Sequence, residues 1–248
     1  MPYNTDSMLK ELVARLTEAA GDNVVSILLF GSAARGDFSE KRSDLNVLVC
    51  VRSTALVELK RLAPSERWWV EHENQPPFLI FTPTELQHSA DVFSVEILDM
   101  QQHRRVLHGS DPVNGISVPM NLHRVQVEHE LRSALLKLRQ HYLRASDDND
   151  ALLQVAVKSF SSVLALLRHA LMDFGEQVSG AAADTIHRIA ARTGAEAQGF
   201  LAVSALRDHP DRANMRAIYG DYLYSIEKVI SALDHQVPKH EWQRVHHA

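Results

Sequence analysis

The spacing of apolar positions changes several times along the first hundred residues. Met8, Leu9, Leu12, Val13, Leu16 and Ala20 recur at three- and four-residue intervals, which predicts a helix over residues 7–20 with Asp6 or Ser7 as N-cap and Gly21 as stop. Residues 24–30, VVSILLF, form an unbroken run of β-branched and large apolar side chains, the pattern of a buried strand. Gly31-Ser32 ends that run. Residues 45–51 read as a second strand, in which Asp44 and Asn46 share one face while Leu45 and Val47 take the other. Thr54 caps a helix expected to run through Ala63 and end at Pro64; Trp68 and Trp69 follow in a segment of undecided class. Pro76-Pro77 precedes a strand over residues 78–81, and Thr82-Pro83-Thr84-Glu85 has the form of a capping box opening a short helix. Residues 92–99, VFSVEILD, read as a further strand with Glu96 near its middle and Asp99 at its end, and residues 106–108 as a last edge strand.

Beyond about Pro119 turn signals thin out and a helical period takes over. Helices are expected at 122–142, 151–174, 184–193, 196–207 and 211–233, with Asp150 capping the second, and Gly175 and Gly194 ending the second and third. The fold class is therefore α+β: a mixed sheet with helices over residues 1–115, then an all-α antiparallel bundle over 116–248. On the second bundle helix Lys158, Ser161 and Ser162 stand at i, i+3 and i+4 among apolar neighbours, a polar stripe that suits either solvent or a phosphate.

Composition narrows the choice of partner. The formal net charge of −5 gives no general attraction for DNA or RNA, so nucleic acid is disfavoured as a substrate and small ligands are favoured. A single cysteine, Cys50, excludes an internal disulfide and fits a reducing compartment, and neither an apolar leader nor a membrane span is expected; the reading is of a cytoplasmic protein. The fourteen histidines lack zinc-ligand spacing.

The chemistry is concentrated between residues 30 and 49. The four small residues Gly31 to Ala34 let the chain turn tightly at the strand end, so that backbone N–H groups and the Ser32 hydroxyl meet a phosphate there. Arg35 and Arg42 flank the turn and supply charge-assisted contacts. The combination of Gly31-Ser32, Arg35-Gly36 and Ser43-Asp44-Leu45-Asn46 before apolar strand residues resembles the polymerase β-like nucleotidyltransferases, especially the small kanamycin-nucleotidyltransferase-like and minimal members. The helical half resembles, in pattern only, the HEPN-like substrate-binding domain that accompanies such enzymes.

The resemblance implies a metal-assisted nucleotidyltransferase that moves a nucleoside monophosphate, AMP from ATP or another nucleoside triphosphate, to a small hydroxylated acceptor. Gly31, Ser32, Arg35 and Arg42 would bind the triphosphate, with Lys158 and Ser162 as further contacts. Asp44, Asn46 and Glu96 would hold Mg²⁺ or Mn²⁺, and Asp44 and Glu96 would be catalytic; Asp99 is the alternative third acid. Asn46 stands where the family has a second carboxylate. A neutral amide cannot bridge two ions, so the alternative is a catalytically impaired nucleotide-binding protein, regulatory or antitoxin-like. A homodimer is compatible with either reading.

Overall fold

The computed structural model describes residues 5–35, 44–176 and 180–235. It divides into two compact units, residues 1–119 and 120–248. In the first, helix α1 (Thr5–Ala20) leads into strand β1 (Val24–Phe30), a four-residue helix α2 (Ser32–Arg35) and strand β2 (Asn46–Val51). Then come α3 (Leu56–Arg67), β3 (Leu79–Phe81), α4 (Pro83–His88), α5 (Ser94–Gln102) and β4 (Arg104–Gly109). The four strands form one mixed sheet in the order β3-β2-β1-β4. β1 is antiparallel to both β2 and β4, and β2 is parallel to β3.

Both faces of the sheet are covered, which is why β1 reads as a continuous apolar run rather than an alternation. On one face Ile27, Leu29, Val47, Val49 and Val51 pack with Leu9, Leu12 and Leu16 of α1, Leu62 of α3, and Trp69. On the other, Leu28, Phe30 and Leu48 meet Leu86 of α4, Ile97 and Met100 of α5, and Val113. The capping box is present in full: the Glu85 amide donates to the Thr82 hydroxyl and the Thr82 amide to the Glu85 carboxylate.

Two of the expected elements of this unit are corrected. Residues 92–99 do not form a strand in the sheet; α5 occupies residues 94–102. The segment VFSVEILD supports period 2 and period 3 about equally, and packing decides. β1 and β2 already have their neighbours in β4 and β3, whereas the Leu28–Phe30–Leu48 face needs a cover, which Ser94, Ile97 and Met100 provide as one buried helix stripe. Glu96 is thus a helix residue and not a mid-strand one. Likewise α3 does not stop at Pro64 but runs through it. Proline forfeits one helix hydrogen bond there, and the buried Leu62 and Ser65 on either side keep the turn packed. The chain then winds directly into a five-residue π-helix, Trp68–His72.

The second unit consists of α6 (Met120–Ala145), α7 (Asn149–Asp173), α8 (Ala182–Thr193), α9 (Ala197–Ala205) and α10 (Met215–Asp234). Asp148, rather than the expected Asp150, caps α7 by accepting from the Ala151 amide at 2.9 Å; Asp150 instead pairs with Arg212. Among the described residues α7 is long and apolar enough to cross a membrane. Leu152, Ala156, Phe160, Val163, Leu167, Ala170 and Leu171 are buried within the unit. α9 lies so close to α10 that a Cβ on Gly199 would fall 2.3 Å from the Ser225 hydroxyl and 2.5 Å from the Asp221 carbonyl oxygen. Only glycine permits that approach.

Candidate functional site

The candidate site forms where β1 ends and β2 begins. Gly31 terminates β1 with φ +76°, a left-handed conformation that side-chain-bearing residues adopt only at a cost. The Ala34 amide donates back to the Gly31 carbonyl at 3.1 Å, closing the turn into α2. A Cβ on Gly31 would sit 3.1 Å from Asn46 Nδ2 and 3.6 Å from Asp99 Oδ2. The space left by the missing side chain is therefore bordered by an amide from β2 and a carboxylate from α5. Asn46 and Asp99 are half-buried, and Asp44, two residues before Asn46, is exposed.

Sheet register explains the convergence. Phe30 is paired with Asn46 on one side and with Arg104 on the other, so these three side chains point to the face covered by α5. In that row β4, the strand following α5, presents a guanidinium. Arg104 Nε donates to Asp111 Oδ2 at 2.6 Å, and its Nη1 donates to the Gln101 carbonyl in the last turn of α5. Gln101 Nε2 donates to the carbonyl oxygens of Val113 and Ile116, at 3.1 and 2.7 Å. These bonds fasten the end of α5 that carries Asp99 to the chain beyond β4.

Of the residues named from sequence, the structure brings together Gly31, Asn46 and Asp99, the alternative third acid. Glu96 lies one helical turn before Asp99 on α5 and is half-buried. Arg42 lies outside the described residues, as do the side chains of Ser32 and Arg35. In the helical unit, Lys158, Ser161 and Ser162 form an exposed stripe on α7, and the Ser161 hydroxyl accepts from Arg207, a contact no motif signalled. Arg104 was also invisible in the sequence, because it belongs to no motif and acquires its place only through strand register. Cys50 is buried in β2, and burial pushes its thiol pKa up, which fits an inert core residue. A separate groove of about 370 Å³ lies along α1 and β4, lined by Asp6, Leu9, Lys10, Val13, Arg105, Val106 and Leu107. None of the candidate residues lines it.

The donor set bears on the divalent ion that the sequence resemblance implies. Among the described residues no three of His, Cys, Asp and Glu gather as a ligand cluster. An ion that arrives on a triphosphate needs only one or two carboxylate oxygens, the phosphates and water completing an octahedral shell. Asp99, with Oδ2 beside the Gly31 turn, fits that lesser demand, whereas Asn46 turns its amide nitrogen, a donor, toward the same turn.

Residues 9–98 match the family model described as a nucleotidyltransferase domain. Among solved structures, the chain is similar in fold to spectinomycin adenyltransferase AAD(9) from Enterococcus faecialis, determined with ATP and spectinomycin. The TM-score is 0.55 and the identity 12%, over 92% of this chain and 99% of that one. No curated protein sequence matches the chain. The match spans β1, the Gly31 turn, β2 and α5 as far as Leu98, one residue short of Asp99; over that stretch the chain is similar to a nucleotidyltransferase domain, and its fold is consistent with a polymerase β-like nucleotidyltransferase.

Proposed function

We propose that the protein transfers a nucleoside monophosphate, AMP from ATP, to a hydroxyl of a small acceptor. The observation that carries this reading is the convergence of the Asn46 amide and the Asp99 carboxylate on the Gly31 turn at the end of β1. The glycine turn, with Ser32, Arg35 and Arg42 beside it, binds the β and γ phosphates. Asp99 takes the role first considered for Glu96, accepting the acceptor's proton, and Asp44 orients the triphosphate from the mouth of β2. The acceptor oxygen attacks the α-phosphorus, the bond to the bridging oxygen breaks, and pyrophosphate leaves. A triphosphate-borne Mg²⁺ or Mn²⁺ supplies neutralisation of the phosphate charge when bound. That the solved relative in fold was determined with ATP and spectinomycin supports a nucleotide and a polyhydroxylated acceptor as the substrate classes to try first. Lys158 and Ser162 remain proposed phosphate contacts on the exposed stripe of α7.

A second reading is favoured by Asn46 itself: a nucleotide-binding protein without turnover, in which the missing carboxylate has removed the nucleophile-side ion. The two part on one assay. Pyrophosphate release is measured with ATP, Mg²⁺ or Mn²⁺ and a panel of aminoglycosides and other polyols, with Asp99→Asn as the blank. Turnover lost in the blank supports transfer; nucleotide binding without pyrophosphate release by the wild type supports the second reading; failure to bind any nucleoside triphosphate defeats both.

A further inference from the structure

Gln75 belongs to no motif, yet its side chain reaches the peptide N–H of Leu45, between the candidate residues Asp44 and Asn46. β3 pairs with β2 only across Leu48, Val49 and Cys50, so the chain entering β2 has no strand neighbour on that side. There the Leu45 amide donates to Gln75 Oε1 at 2.9 Å, across 30 residues of sequence. Gln75 Nε2 donates in turn to the Glu73 carbonyl at 3.2 Å. With both ends of the carboxamide engaged, its oxygen is fixed toward Leu45.

The segment that presents Gln75 is irregular throughout. α3 gives way to the π-helix Trp68–His72, Asn74 adopts φ +53°, and the Gln75 amide donates back to the Trp69 carbonyl at 3.2 Å. The Trp69 ring is fully buried, and its Nε1 donates to the Pro76 carbonyl at 2.9 Å, tying the residue after Gln75 to the core. π-turns and positive φ at residues with side chains persist where surroundings hold them, and they cluster at functional sites. Here the held conformation ends in one hydrogen bond to the backbone that carries Asp44 and Asn46.

We propose that Gln75 is a positioning residue: its carboxamide sets the entry of β2 and thereby aims Asp44 and Asn46 at the Gly31 turn. The proposal deepens the nucleotide-site reading above and rests on it for its functional consequence. Gln75→Met removes both hydrogen bonds at similar volume, and Gln75→Glu keeps the acceptor for Leu45. Where the methionine variant does not fold, Gln75→Ala takes its place. Hydrogen exchange of the Leu45 amide is measured together with the affinity for ATP in the presence of Mg²⁺ and the cooperative unfolding midpoint.

The expected result is faster Leu45 exchange in Gln75→Met and ATP affinity weakened about 3- to 10-fold, as for one lost hydrogen bond, with recovery of both in Gln75→Glu. A purely structural role lowers the midpoint and leaves ATP affinity of the folded fraction unchanged, which overturns the proposal, as does unchanged Leu45 exchange. If the wild type binds no ATP, the functional reading fails separately. The NMR signals of the Asp44 and Asn46 side chains then decide: shifted in Gln75→Met and restored in Gln75→Glu supports positioning, unshifted overturns it.

Discussion

Two polar clusters stand among apolar residues in this protein, and they are built in opposite ways. In the first unit Asp44, Asn46 and Asp99 lie about the ends of the two central strands, exposed or half-buried, and their arrangement is imposed by backbone: the Gly31 turn, the Phe30 row of the sheet, and the Arg104 and Gln75 hydrogen bonds. In the helical unit His123 of α6 and Asp173 of α7 are sealed, with side chains 0% and 2% exposed and Nε2 4.0 Å from Oδ1. His169 packs its ring edge-on to His123, with centroids 5.1 Å apart. Burial pushes the Asp173 carboxyl up to about 7 against the opposing pull of Arg124, and lowers the His123 imidazole to about 4. Displaced titration alone would point to the helical cluster as the site. Access, and the meeting of Asn46 and Asp99 at the Gly31 turn, point to the other. A displaced pKa reports desolvation, and desolvation accompanies structural burial as readily as catalysis.

The contrast is sharpened most by replacing Asp173. Its folded pKa is raised, so the folded state holds the proton more tightly than the unfolded chain, and its contribution to stability falls as pH rises from about 4 to about 7. His123 acts in the opposite sense: its folded pKa is lowered, so its contribution falls as pH drops from 6.5 toward about 4. The two nearly cancel across most of that window. Arg124, the nearby cation, also donates to Glu128 and to the Leu233 carbonyl, so it keeps partners when the carboxylate is gone. Asp173→Asn is expected to match the wild type near pH 4 and to be the more stable of the two at pH 8, read by urea unfolding at both pH values. A structural cluster gives that gain with ATP affinity unchanged; destabilisation at pH 8 would show that Asp173 is held as a useful anion.

The corresponding test at the strand ends works through activity. Asp44→Ala and Asp99→Asn are expected to lower pyrophosphate release by about 100-fold or more while moving the unfolding midpoint little, because neither residue is in the core. Equal loss in Glu96→Gln with none in Asp99→Asn would restore Glu96 as the third acid. Gly31→Ala comes next in size. It forces a side chain into the left-handed region, which costs about 1–2 kcal/mol, and places a methyl 3.1 Å from the Asn46 amide nitrogen. Both stability and ATP affinity should fall, as measured by thermal unfolding and calorimetry.

Much of this corner was legible in the chain. β1 spans residues 24–30 as its unbroken apolar run implied, and β2 covers residues 46–51 of the expected 45–51, with Val47 and Val49 on one face of the sheet and Leu48 on the other. The Thr82 box and the Gly194 stop are local signals that need no tertiary context, and both hold. What failed depended on that context. Residues 92–99 fit two periods, and the uncovered sheet face selected the helix. That change replaced a mid-strand Glu96 by Asp99 as the acid nearest Gly31. Arg104 and Gln75 act through strand register and a contact across 30 residues, neither of which leaves a local pattern.

Asn46→Asp is the smallest expected perturbation and the one that separates the two functional readings. The amide nitrogen of Asn46 faces the same space as Asp99, with Asp44 two residues away along the chain. A carboxylate there sets like charges together, and without a cation the folded state should lose about 1 kcal/mol. Mg²⁺ or Mn²⁺ should reverse the loss, since the variant supplies the extra carboxylate that a second ion requires. Thermal unfolding with and without metal measures both effects. If the wild type is a transferase working with one triphosphate-borne ion, the variant binds metal more tightly and keeps or raises turnover. If it is a binding protein that lost the second ion, the wild type is silent and the variant regains slow pyrophosphate release, abolished again by adding Asp44→Ala. A variant no more stable with metal than without would show that these side chains do not share a cation, and the convergence on Gly31 would then serve the phosphate turn alone.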